Sequence, residues 1–167
     1  MDFIAHLLWS TILFIGPQVF LAAFFGVMPD LLPFGLELLT RRRRNPRGLY
    51  RQVGMVSFYD LPQNRWVFRF YCWTHSLVVW ALYFGTMVAI WAVGWADFPT
   101  FLFAWLIHIC IDIPTHQKAF FAPAFLTPFS HYRFDGKSWA HPTFVKVNYS
   151  LILAGIVFRV AQLSLGF

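Results

Sequence analysis

Long apolar runs separated by short polar intervals set the architecture of this chain. Residues 3–28 form the first run, and Gly16-Pro17 interrupts it near the middle. Proline removes a backbone hydrogen bond and clashes with the preceding turn. Two structures fit: a single kinked spanning helix, or a hairpin of two short helices of about twelve residues, about 18 Å each. Met28-Pro29-Asp30-Leu31-Leu32-Pro33 ends the run, and its prolines predict an extended, non-helical turn around Asp30. Residues 40–65 are basic and mixed, and read as a surface loop with a short interfacial helix. The second apolar run covers 66–95, with Thr74 a candidate helix cap. Its unbroken part, Leu77 to Trp95, is long enough to span a bilayer. After a turn at Ala96–Thr100 the chain returns, and Pro114 weakens helix continuity at Ile113. A long loop at 115–143, rich in aromatics and prolines, precedes the last run, 144–165. Loops of that length are uncommon and often functional.

These elements predict an all-α, multi-pass transmembrane helical bundle. It forms a single membrane domain over 1–167, with membrane helices at 75–95, 99–114 and 144–165. The 3–28 segment is the candidate for a re-entrant N-terminal helical hairpin. Composition strengthens the membrane reading. The chain is 59% hydrophobic and 21% aromatic, and only 12% of its residues are charged, about half the usual soluble share. Cys72 and Cys110 form no CxxC pair and read as reduced packing residues. No basic segment precedes the first apolar run, so no cleavable signal is expected.

Charge orients the bundle. The formal charge is +6, and Arg41 to Arg44, Arg47, Arg51, Arg65 and Arg69 crowd into one interval. Basic residues flanking apolar segments mark the cytoplasmic side and meet anionic lipid head groups. Membrane lipids are therefore the expected partners, and nucleic acid is not expected. The basic side is therefore expected to face the cytoplasm. Lys118, Arg133, Lys137 and Lys146 place the 115–143 loop on the same face.

The candidate chemistry follows from this topology. His108 and Asp112 lie four residues apart on one helical face, a costly pair in a membrane helix unless a partner compensates it. His75 opens the helix leaving the basic loop, and His108 and Asp112 close the helix that returns, so all three meet at one leaflet. Asp30 precedes the same loop and joins them. His6 is the test: on one continuous helix it stands about 36 Å from Asp30, whereas a hairpin folded at Gly16-Pro17 brings both to one side. Imidazole and carboxylate together suit a divalent metal, zinc first and manganese second. In a hydrolytic site the metal lowers the pKa of a bound water to roughly 7. A carboxylate that does not bind the metal can serve as general base, which makes Asp30 and Asp112 the candidate catalytic residues. His116 continues the spacing as an outer ligand. His131, Arg133 and Asp135 in the long loop are candidates to face substrate, with Arg133 and Lys137 available to an anionic head group. The chain has no phosphate-cradling glycine loop, GxSxG elbow or HExxH motif.

With these residues in place, the chain resembles the YdjM-type family of inner-membrane metal-dependent hydrolases. The resemblance rests on His6, Gly26-Val-Met-Pro29-Asp30, Thr74-His75-Ser76 and His108-Ile-Cys-Ile-Asp112-Ile-Pro-Thr, and covers about residues 1–125. It implies a metal-dependent hydrolase in a bacterial inner (cytoplasmic) membrane, and a distant likeness to zinc phospholipase C and single-strand-specific zinc nucleases implies phosphoester hydrolysis. Leu31-Leu32-Pro33 follows Asp30 where that family often carries a second acid. Tyr71-Cys72-Trp73 stands where the family has His-Arg before Thr-His-Ser. Two other functions fit the sequence: a structural or accessory subunit of a larger membrane protein complex, and an ion-binding transport protein built on the intramembrane pair.

Overall fold

A computed structural model describes residues 2–41 and 64–165. Of the loop expected at 40–65, residues 42–63, with most of the arginine cluster, lie outside the described residues, and its ends belong to helices. The described chain is all-helical: α1 is Phe3–Leu13, α2 Val19–Arg41, α3 Arg65–Thr74, α4 Leu77–Ala92, α5 Leu102–Thr115 and α6 Pro142–Leu165. Two helices, Val19–Thr40 and Pro142–Leu165, are long and apolar enough to cross a membrane, and the bent α3–α4 pair passes the same test jointly.

The first apolar run breaks where proline predicted. α1 starts on Asp2, whose carboxylate accepts from the Ala5 amide at 2.9 Å. Gly16 then takes a φ of +83°, a left-handed conformation that glycine adopts at little cost. The chain reverses there, and α1 packs along α2. The two helices come close at Gly26, where a Cβ would stand 1.8 Å from the Ser10 hydroxyl oxygen and 2.8 Å from the Ser10 Cβ. The second arm is not the short helix expected for a hairpin. It runs 23 residues.

The extended turn predicted around Asp30 is also corrected: α2 passes straight through Pro29 and Pro33. A tertiary partner takes over the carbonyl that Pro33 abandons. Pro33 has no N–H to give the Pro29 carbonyl, and the Thr74 hydroxyl donates to that carbonyl instead, at 2.7 Å. One turn earlier the Gly26 carbonyl accepts from the His108 ring at 2.7 Å. Asp30 therefore projects from a helix rather than from a loop.

The apolar run 66–95 is divided at His75, and within the span expected at 75–95 one helix covers Leu77–Ala92. α3 ends at Thr74, His75 breaks the helical backbone, and Ser76 caps α4 by accepting from the Val78 and Val79 amides at 3.1 and 3.2 Å. Ser76, not Thr74, is the cap, and the two helices meet at a 48° bend. α5 runs through Pro114 to Thr115. Trp105, Ile109 and Leu102 of α5 pack on Ala22 and Met28 of α2 to form the main core. Trp80 of α4 ties in by donating to the Leu102 carbonyl at 2.9 Å. The 115–143 loop folds back on the end of α5, with the Gly136 amide donating to the His116 carbonyl and the Lys137 amide to the Pro114 carbonyl, both at 2.9 Å. α6 lies along α1, and its remaining surface exposes Leu151, Leu153, Val157, Phe158 and Leu163.

Candidate metal centre

Four elements deliver the predicted ligands to one point. α1 brings His6, α2 brings Asp30, the α3–α4 bend brings His75, and α5 brings His108 and Asp112. One ligand atom each from His6, Asp30, His108 and Asp112 falls within 4.8 Å of all the others. His75 adjoins this group, with its Nε2 3.3 Å from Asp112 Oδ2 and 3.5 Å from Asp30 Oδ1. All five are buried except Asp30, whose side chain is 15% exposed and forms the open edge of the cluster.

Backbone carbonyls fix the orientation of the rings. His108 Nδ1–H donates to the Gly26 carbonyl at 2.7 Å, and His75 Nδ1–H donates to the Tyr71 carbonyl at 2.9 Å. Each ring then presents an Nε2 lone pair inward, the second-sphere arrangement typical of metal-binding histidines. The two Nε2 atoms stand 3.0 Å apart. Two neutral imidazoles cannot bond to each other through two lone pairs, so the contact calls for a positive charge between them. The carboxylates supply matching negative charge. Asp112 Oδ2 is 3.3 Å from His108 Nε2, and Asp30 Oδ2 is 3.8 Å from it. His6 enters through the other oxygen, with Nε2–H donating to Asp112 Oδ1 at 3.0 Å. Its ring stacks on His108 with centroids 3.6 Å apart. The donor set fits a divalent cation: ligand atoms that share one ion at ~2.0–2.2 Å lie about 3.3 Å from each other.

His116 falls just past α5. Its Nδ1–H donates to the Asp112 carbonyl at 3.1 Å, and the same atom lies 3.6 Å from Asp112 Oδ1. Burial draws its pKa down to about 4, so the ring is neutral at neutral pH and its Nε2 stays a lone-pair donor. His131 and Arg133 are placed elsewhere. They line a separate cavity with Arg69 and Cys72. Asp135 accepts from the Lys118 amide at 2.8 Å and serves the loop.

A cavity of about 480 Å³ opens beside Asp30 and His116 and is otherwise largely apolar, bounded by Leu31, Phe34, Leu38 and Phe120 among others. Tyr71 also lines it. Sequence reasoning missed Tyr71, although its spacing of four residues before His75 puts both on one helical face. Its ring packs on His75, with centroids 3.8 Å apart. The role of Thr74 was missed as well: beyond bonding Pro29, its carbonyl accepts from the Trp105 indole at 2.7 Å.

Fold and site together define an all-helical protein with candidate membrane spans and a buried histidine–aspartate cluster able to hold a metal ion. No family model, curated protein or solved structure matches the chain.

Proposed function

We propose that this chain is a membrane-bound, divalent-metal-dependent hydrolase that acts on a phosphoester at the cytoplasmic face of a bacterial inner membrane. One observation carries the reading. Two histidines, held by backbone carbonyls, aim Nε2 atoms at each other at 3.0 Å beside two carboxylates. A purely structural core has no use for that arrangement. It costs desolvation and electrostatic repulsion, and coordination to a bound cation compensates both.

A divalent cation, zinc or manganese by its N/O donor set, supplies Lewis acidity and a more acidic water when bound. The chain's own residues do the rest. His75, His108 and Asp112 form the buried holding group, and His6 braces Asp112 from behind. Asp30, the most open carboxylate, borders the cavity and is positioned to take a proton from water as general base. The resemblance to the YdjM-type family supports the same reading.

The membrane arrangement is part of the proposal. α1 is about 16 Å long and cannot cross a hydrocarbon core of about 30 Å. The α1–α2 turn therefore reads as re-entrant, entering and returning on the cluster side. Lys118, Arg133, Lys137 and Lys146 lie on or next to the loop that folds over this end, which makes it cytoplasmic by the positive-inside rule.

Elemental analysis of the purified full chain tests the metal directly. Stoichiometric zinc or manganese is expected, with hydrolysis of a nitrophenyl phosphodiester that is lost on chelation and restored by the same metal. Protein purified without stoichiometric metal, and inert after zinc or manganese is added, overturns the reading.

A further inference from the structure

The cavity beside the cluster is graded in polarity. Asp30 belongs to the cluster, Leu31, Phe34 and Leu38 follow it along about 12 Å of α2, and Asp2, His116 and Phe120 also line the cavity. Its volume, about 480 Å³, falls within the ~300–1,000 Å³ range of sites for small organic ligands. Tyr71 stands at its wall, 1% exposed, and its hydroxyl has no hydrogen-bond partner among the described residues. A buried hydroxyl without a partner is destabilising. The ring alone satisfies the packing on His75 and Phe121, so phenylalanine would serve a structural role better.

We propose that this cavity binds an amphiphile bearing an anionic phosphate head, with the head at the Asp30–His116 end and an aliphatic chain along Leu31, Phe34 and Leu38. The Tyr71 hydroxyl donates a hydrogen bond to a phosphate oxygen of that head. Tyr71 thereby acts as a positioning residue that holds the phosphate against the cluster. This assignment rests on the metal-dependent reading above and narrows its substrate class from any phosphoester to one with a single long apolar substituent. A nucleotide or sugar phosphate leaves the apolar wall unmatched and its own hydroxyls without partners. Neither group has a counterpart on Leu31, Phe34, Leu38 or Phe120.

Gly35 offers a way to close the apolar part. It lines the cavity, and a Cβ there would meet only the Leu31 Cδ1 at 3.7 Å, an ordinary contact. The Cβ of Gly35→Leu is therefore accommodated, and the added side chain takes up chain-binding space. The probe is a dodecyl phosphate with a photoreactive diazirine at the chain end, added to the full-length, metal-loaded protein in nanodiscs. Crosslinked sites are read by mass spectrometry and competed with unlabelled dodecyl phosphate.

Saturable labelling within residues 31–38 and 120–121 is expected. It should fall about tenfold in Gly35→Leu and about fivefold in Tyr71→Phe, with the metal content of both variants unchanged. Inorganic phosphate should compete at high concentration in the wild type and less well in Tyr71→Phe. Labelling confined to lipid-facing α6, or equal in wild type and Gly35→Leu, overturns the amphiphile. Equal labelling and equal phosphate competition in Tyr71→Phe removes Tyr71 from the head-group site. Metal content measured on the same samples separates the two readings. Metal-loaded protein that ignores the probe refutes this assignment alone, whereas protein that takes up no metal refutes the hydrolase reading and the head-group end with it.

Discussion

Asp112 is the residue on which the cluster turns. One of its oxygens faces His75 and His108, and the other accepts from His6. Asp112→Asn keeps the shape but substitutes an N–H donor for one acceptor and removes the charge that balances a cation. Metal content is expected to fall about tenfold or more, with helical circular dichroism retained; full retention of metal by this variant would exclude Asp112 as a ligand. The pair His108 and Asp112 was legible in the sequence because ionisable groups at i and i+4 stand out on an apolar helix. His75, Asp30 and His6 were legible only through topology, by asking which chain ends share a leaflet. Tyr71 was not legible. Its spacing of four residues before His75 is a faint signal among so many aromatic residues, and its significance comes from a hydroxyl whose surroundings appear only in three dimensions.

At the scale of elements, the prolines of α2 misled in an instructive way. Pro29 and Pro33 predict a broken helix from local rules, yet α2 continues through both, and the Thr74 hydroxyl at the end of α3 bonds the carbonyl that Pro33 releases. That partner lies 45 residues away in the chain, beyond the reach of any local pattern. Thr74→Val removes the donor to Pro29 and leaves a buried carbonyl unmet. A loss of about 1–3 kcal/mol is expected, read as a lower unfolding temperature in detergent, and an unchanged midpoint would mean another donor serves that carbonyl. Gly26 is the second point of tension, since alanine is the better helix former by about 1 kcal/mol. Here the added methyl strikes Ser10 on α1, so overpacking by about 1–3 kcal/mol is expected to win. It would also push His6 away from Asp112 and weaken metal binding. Gly26→Ala combined with Ser10→Gly should recover both stability and metal, because the second change removes the obstructing side chain. A double variant no better than Gly26→Ala would place the strain elsewhere.

For the whole molecule, the helices define two ends. At one, Gln18 bonds the Phe98 carbonyl at 3.0 Å and accepts from the Thr100 hydroxyl at 2.7 Å, joining the α1–α2 and α4–α5 turns. At the other, Asp2 accepts from the Tyr149 hydroxyl at 2.8 Å and borders the cavity that Trp139 also lines. The N-terminus, the 115–143 loop and the cluster thus share an end, although α1 alone would never reveal on which side it starts. Labelling with a membrane-impermeant maleimide decides whether that shared end is also a shared face of the bilayer. In a background of Cys72→Ala and Cys110→Ala, Asp2→Cys and Lys137→Cys should both react from the cytoplasmic side, and Asp97→Cys, at the opposite turn, should not. If positions 2 and 137 react from opposite sides, α1 must cross the bilayer, which its length of about 16 Å cannot do in a core of about 30 Å. That outcome would dismantle the re-entrant hairpin and, with it, the placement of His6 beside Asp112.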